Sequence, residues 1–175
     1  MKKLIFISLL FSILSLSVSA QKPTKAEKAA QLEQEFQQTR QLIESNHFQF
    51  ELNLVYPQDG QDLSRFNPRG KFVITDSVAK GTLPFFGRAY SLPYGEGGGI
   101  EFDGVMKDQS LKIEHKKKRK ILIYRFSITA KNDTYQISME ISGGGNCSVN
   151  LNSNNRAQIS YSGTVSPVKD ETGKS

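Results

Sequence analysis

Glu101 and Asp103 stand two residues apart in Ile100-Glu101-Phe102-Asp103. In a strand that spacing puts both carboxylates on one face, and a carboxylate pair is what general acid–base hydrolysis employs. The simpler reading, two solvated carboxylates, is the one adopted. Cys147 is the single cysteine, and His47 and His115 are the two histidines. A catalytic thiol needs a neighbouring imidazole, and both histidines are remote from it in sequence. In Cys147-Ser148-Val149-Asn150-Leu151 the thiol shares a strand face with Val149 and Leu151, which makes it a buried, inert side chain. One cysteine allows no intramolecular disulfide. Two histidines and one cysteine at these separations form no metal site. Gly95 to Gly99 lacks the helix that a phosphate-cradling loop requires, and no nucleophile-elbow sequence occurs. No catalytic residue, cofactor-binding residue or metal ligand is therefore expected, and the chain reads as a binding protein rather than an enzyme.

Two further groups could recognise a partner. Residues 83 to 99 combine Pro84 and Pro93, five glycines, and the aromatic and basic side chains Phe85, Phe86, Arg88, Tyr90 and Tyr94. The prolines favour extended backbone before them. The aromatics can pack a long loop onto the mouth of a sheet, with Arg88 donating to loop carbonyls or a carboxylate. The functional alternative makes the same five side chains the wall of a pocket for a small apolar or anionic ligand. An envelope hydrolase with its site around this loop, or an apolar-ligand carrier, are the enzymatic and transport versions of that alternative. The second group is basic. Lys112, Lys116, Lys117, Lys118, Arg119 and Lys120 stand against Glu114 alone, a local net charge of +5 within a chain of +6. Lys2 and Lys3 supply another two charges, so the remainder is close to neutral. One cluster is not the field of a nucleic-acid binder, and no nucleic acid is expected as a partner. Lys116 to Lys120 instead suit a hairpin tip, solvated or in contact with an anionic envelope surface.

These groups need elements to hold them. Thr24 followed by Glu27 is a capping box, and Leu32, Phe36, Thr39 and Ile43 recur at helical spacing until Ser45-Asn46. From His47 the period becomes two: Phe48, Phe50, Leu52, Leu54 and Tyr56 alternate with polar residues, as in a half-buried strand. Phe72 and Ile74 mark a second strand. Thr75-Asp76-Ser77 turns it into Val78 to Leu83. Ile100 and Phe102 read as a further strand, and Leu111 and Ile113 as one that pairs with Ile121 to Ile128 across the basic tip. Tyr135 to Ile141, Cys147 to Leu151 and Ala157 to Tyr161 complete the series, separated by Gly143-Gly144-Gly145 and Ser153-Asn154-Asn155. Short turns between successive strands predict an antiparallel meander. The expected fold is mainly β, of the α+β class, with the N-terminal helix packed on a strongly curved meander sheet, barrel-like or sandwich.

The stretch Leu83-Pro84-Phe85-Phe86-Gly87-Arg88-Ala89-Tyr90-Ser91-Leu92-Pro93-Tyr94-Gly95-Glu96-Gly97-Gly98-Gly99-Ile100-Glu101-Phe102 resembles the signature of the bacterial family known as domain of unknown function 4251. Ser153-Asn154-Asn155-Arg156-Ala157-Gln158-Ile159-Ser160-Tyr161-Ser162-Gly163 is similar to that family's closing strand. The resemblance implies an exported protein of this size, and it carries over no established activity, cofactor or catalytic residue.

The first twenty residues agree with export. Lys2 and Lys3 precede the apolar run Leu4 to Leu16, and Val18-Ser19-Ala20 offers small side chains to a signal peptidase. Cleavage after Ala20 is expected, with Gln21 rather than cysteine following, so the product is periplasmic or secreted and not a lipoprotein. The apolar run is too short to span a bilayer comfortably, and the mature chain has no transmembrane segment. Residues 21–166 then form one domain and residues 167–175 a loose tail.

Overall fold

The structure is a computed structural model that describes residues 24–58, 63, 68–91, 98–116, 119–131 and 133–169. The expected signal sequence, Tyr94, Lys117, Lys118 and the last residues of the tail lie outside the described residues. Contacts divide the chain into two units, Met1–Gln31 and Leu32–Ser175.

Among the described residues one helix, α1 (Lys25–Glu44), precedes eight strands. Its start is the capping box read from the sequence. Thr24 N–H donates to Glu27 Oε2 at 2.6 Å, and Glu27 N–H donates to Thr24 Oγ1 at 3.2 Å. Two otherwise orphaned helix donors are thereby satisfied. Within the second unit, Phe36, Thr39 and Ile43 are buried, and Phe36 and Ile43 belong to the hydrophobic core. Leu32, expected on the same stripe, is instead 63% exposed. Asn46 ends the helix in the left-handed region at φ 48°, its N–H bonded to Ile43 O, a conformation that asparagine tolerates.

The strands are β1 (His47–Pro57), β2 (Lys71–Thr75), β3 (Val78–Leu83), β4 (Ile100–Lys116), β5 (Arg119–Thr129), β6 (Thr134–Ser142), β7 (Asn146–Ser153) and β8 (Ile159–Pro167). Each pairs antiparallel with the next, and β1 pairs with β8, so the meander closes into a barrel. Closure removes both sheet edges. Eight strands enclose a space that side chains alone can fill, and here aromatics fill much of it. Phe50 and Phe72 stack at 5.0 Å between ring centroids, Phe72 meets Phe102 at 5.9 Å, and Phe102 meets Tyr135 at 6.2 Å. Cys147 lies inside with Val149 and Leu151.

Two irregularities change the expected faces. The β1–β8 register shifts between Leu52 and Leu54, where Asn53 is the extra residue. A bulge reverses the in–out alternation beyond it. Val55 is therefore buried, while Leu54 and Tyr56, expected inside, are exposed. Gly163, the partner of Leu52, sits where β1 and β8 approach most closely. A Cβ there would collide with Glu51 O and lie 2.7 Å from the Phe50 ring. The second irregularity lies in β4. Leu111 and Ile113 do not form a strand of their own, because β4 runs unbroken from Ile100 to Lys116 through a register shift at Asp108 and Gln109. Asp108 adopts φ 53° there.

Candidate functional site

The connections β1–β2, β3–β4, β5–β6 and β7–β8 all emerge at one end of the barrel, opposite the end where α1 joins β1. At this loop end the two stretches that resemble the family signature meet. Ala89 bridges Arg156, Ala157 N–H donates to Arg88 O at 2.9 Å, and Tyr90 N–H donates to Asn155 O at 2.8 Å. The Tyr161 hydroxyl, reaching out of the interior, donates to Pro84 O at 2.9 Å. Burial pushes its pKa far up, which keeps it a neutral donor. Phe85 is half-buried against the core, whereas Phe86, Arg88 and Tyr90 are exposed.

Arg156 secures this end. Its side chain is buried, with Nη1 donating to Gly98 O at 3.1 Å and the guanidinium 5.2 Å from the centre of the Phe85 ring. Nε lies 3.7 Å from Asp133 Oδ2, an ion pair between two buried groups. Asp133 also accepts from Ser153 Oγ at 2.6 Å and from Thr134 N–H at 2.8 Å. Among the described residues Arg156 Nε is the buried side-chain atom left without a hydrogen bond. Arg88 makes no side-chain hydrogen bond or ion pair among the described residues.

A cavity lies elsewhere, on the outer wall. It has a volume of about 1040 Å³, and its described lining comes from β1 to β4 and the β5–β6 turn, with none of Phe85, Phe86, Arg88 or Tyr90. Strand register orders much of it. One row across the four strands reads Glu51, Lys71, Thr82, Glu101; the next reads Gln49, Val73, Lys80, Asp103. Arg69 and Lys131 lie at its margin. Glu101 and Asp103 do share one face of β4, as their spacing implied. Asp103, however, pairs with Lys80 at 2.7 Å, and this contact raises the Lys80 pKa. Glu51 is held by Lys169 at 3.0 Å and by Gln49. The result is an open groove with fixed charges of both signs. Sequence reasoning found two of its three acids, Glu101 and Asp103, but not Glu51 or the lysines, since only the register of four strands brings Lys71 and Lys80 beside them.

The basic residues occupy the opposite end. The β4–β5 ladder extends to Lys116 opposite Arg119, so the cluster is on a hairpin as expected. It is not wholly turned to solvent. Lys116 Nζ pairs with Glu140 at 2.7 Å, and Lys120 Nζ pairs with Glu33 at 2.9 Å while standing 5.6 Å from the centre of the Phe36 ring. These contacts raise the Lys116 pKa and lower that of Glu33. Arg119 is exposed. Cys147 is interior, and burial pushes its thiol pKa far up, so the nucleophilic thiolate does not form near neutrality. His47 and His115 are exposed on β1 and β4. Among the described residues no three His, Cys, Asp or Glu side chains gather as a metal site would require, and no helix is long and apolar enough to cross a membrane.

No curated protein matches the chain. A crystal structure of a DUF4251 family protein from Bacteroides eggerthii is similar in fold, with 23% sequence identity, a TM-score of 0.54, and coverage of 79% of this chain and 91% of that one. The family described as "Domain of unknown function (DUF4251)" matches residues 30–165. With both signature stretches inside that span and clamped to one another, the chain belongs to the DUF4251 family.

Proposed function

We propose that this protein is an exported, non-enzymatic binding module of the bacterial envelope, cleaved after Ala20, whose ligand occupies the groove on the β1–β4 wall. The observation that carries the reading is the pair of cross-strand rows that line the groove. Their groove-lining members present carboxylates, amines and a hydroxyl on one rigid surface, with Val73 as the apolar element. Such a lining suits a small polar ligand that bears charges of both signs. Helix α1 has a supporting role, covering the barrel end at which Phe36 and Ile43 enter the core.

The test exchanges Lys80 and Asp103. The double variant Lys80→Asp/Asp103→Lys keeps the ion pair and the fold but inverts the charge order of the groove. Thermal-shift screening of residues 21–175 against short peptides carrying one Lys and one Glu should find stabilising members, since a ligand at 100 times its Kd stabilises the folded state by about 2.7 kcal/mol. The exchanged variant should lose those shifts at an unchanged ligand-free melting temperature. Equal shifts in both proteins would remove the groove from the reading. Amino-terminal sequencing of the envelope-fraction protein tests export, with Gln21 expected first.

A second reading keeps the 84–91 segment as a contact edge. Phe86, Arg88 and Tyr90 are exposed on a backbone pinned by the Asn155–Ala157 bonds, which would hold them ready for a partner. Loss of a partner on Phe86→Ala/Tyr90→Ala, with groove binding intact, would favour it.

A further inference from the structure

On β6, β7 and β8 the side chains at Thr134, Asn146 and Ser160, and at every second residue after each, point away from the interior. These are five, four and four positions, and all but Glu140 carry a hydroxyl or a carboxamide. The wall is thus nearly free of charge in a chain where 23% of residues are charged. Guarding against edge-to-edge association does not explain it, because the barrel has no edge. Beside this wall the bulge in β1 turns Tyr56 outward, 52% exposed, together with Leu54. Register then places Tyr56, Ser160, Asn150 and Ser138 in one row across β1, β8, β7 and β6. At about 4.8 Å per strand the row is about 14 Å long. Leu54, Ser162 and Ser148 form the row beside it. Ser160 Oγ donates to Asn150 Oδ1 at 2.6 Å, which fixes the carboxamide and leaves its two N–H donors to face outward.

We propose that this wall binds a neutral glycan. Sugar hydroxyls both donate and accept, as the Ser, Thr, Asn and Gln side chains do. A neutral occupant spares the wall the desolvation cost that a charged one would impose. The Tyr56 ring supplies the flat apolar surface that the C–H face of a pyranose stacks against, while its hydroxyl stays wet. The wall's one charge, Glu140, is already paired by Lys116, and Arg125 at the β5 border is bonded to Ser138, so the wall offers an acidic or basic polymer little to pair and favours a neutral occupant.

The experiment is affinity electrophoresis of residues 21–175 through gels containing neutral polysaccharides (mannan, dextran, xylan and β-glucan) or anionic ones (alginate and polygalacturonate). At least one neutral polymer should retard the protein, and the retardation should persist in high salt. Tyr56→Ala and Asn150→Ala should each weaken it about tenfold, with melting temperatures near wild type because both substitutions are made on the outer wall. The Lys80→Asp/Asp103→Lys variant should be retarded like wild type, since that groove is a separate surface. The proposal is overturned if no neutral polymer retards the protein, if only the anionic ones do, or if the Tyr56→Ala/Asn150→Ala double variant migrates like wild type.

Discussion

Replacing Arg156 by methionine keeps most of the side chain's volume and removes its charge. What remains is the Asp133 carboxylate, buried and facing an apolar group. Removing one partner of a buried ion pair costs about 3–5 kcal/mol. Asp133 retains its bonds from Ser153 Oγ and Thr134 N–H, and the Nε–Oδ2 separation of 3.7 Å is long for a pair. Both facts point to the low end of that range. The bond to Gly98 O and the contact with Phe85 go as well, the first contributing about 1 kcal/mol. A total of about 3–4 kcal/mol is expected. In a domain of this size that lowers Tm by about 6–15 °C. Urea unfolding of residues 21–175 measures it directly: the midpoint should fall while the slope with denaturant stays constant. Asp133→Asn in the Arg156→Met background should recover part of the loss, because the uncompensated charge is gone. Trypsin should cut after Arg88 faster in the single variant, since the segment has lost a clamp. Arg88→Ala, with no described partner to lose, should stay within about 0.5 kcal/mol of wild type. An Arg156→Met protein within about 1 kcal/mol of wild type would refute the clamp, as would additive costs of Asp133→Asn and Arg156→Met.

Cys147 should react slowly with a thiol reagent in the native protein and readily once unfolded, and rapid native labelling would contradict its interior position. Cys147 and Tyr161 also make the fold sensitive to alkali. Both have folded pKa values above their ordinary 9.0 and 10.0, so the folded state holds the proton longer. Stability is then complete below about pH 9 and falls as pH rises, by up to about 1.4 kcal/mol per pH unit for each group. Chemical unfolding between pH 8 and 11 should show the fall, beginning later in Cys147→Ala. Gly163→Ala forces a methyl group into Glu51 O and the Phe50 ring and should cost about 1–3 kcal/mol by urea unfolding; a neutral effect would mean that β1 and β8 are farther apart there. Changing Lys116, Lys117, Lys118, Arg119 and Lys120 together to Ser should reduce co-sedimentation with anionic vesicles at low salt, the difference vanishing as salt rises. Equal sedimentation at low salt would make the hairpin a solvated turn.

Local patterns revealed most of the elements, because helix caps and in–out alternation are local properties. The capping box at Thr24 and Glu27, the meander order and the interior face of Cys147 were all legible. The errors fall where one residue changes parity. Nothing in Leu52-Asn53-Leu54 announces a bulge, which arises from the approach of Gly163 a hundred residues away, and everything after it in β1 was assigned to the wrong face. The candidate sites were less legible for the same reason. Lys80 joins Asp103, and Tyr56 joins Asn150, only through register between strands remote in sequence. Arg88 drew attention because it stands among aromatics. Arg156 stands in an unremarkable polar stretch, and no local signal marks it as buried.

The stretches that identify the family are the ones that close the loop end of the barrel. Pro84, Phe85 and Gly98 from one stretch are held by Tyr161 and Arg156 from the other, and each half loses these contacts if the other is lost. Such mutual dependence ties residues together for stability and asks no chemistry of them. It also bears on where function can reside. The interior is occupied by the protein's own aromatics, and at this end the described parts of the signature are bound to one another. Among the described residues the surfaces open to a ligand include the outer walls, the exposed edge of the 84–91 segment and the basic hairpin. The walls differ most: charges of both signs in register on β1 to β4, and hydroxyls and amides on β6 to β8. Two chemically distinct surfaces on one rigid barrel can engage two different partners at once. The Lys80–Asp103 exchange and the Tyr56→Ala/Asn150→Ala pair would separate those engagements, because no residue changed in one set lines the other surface.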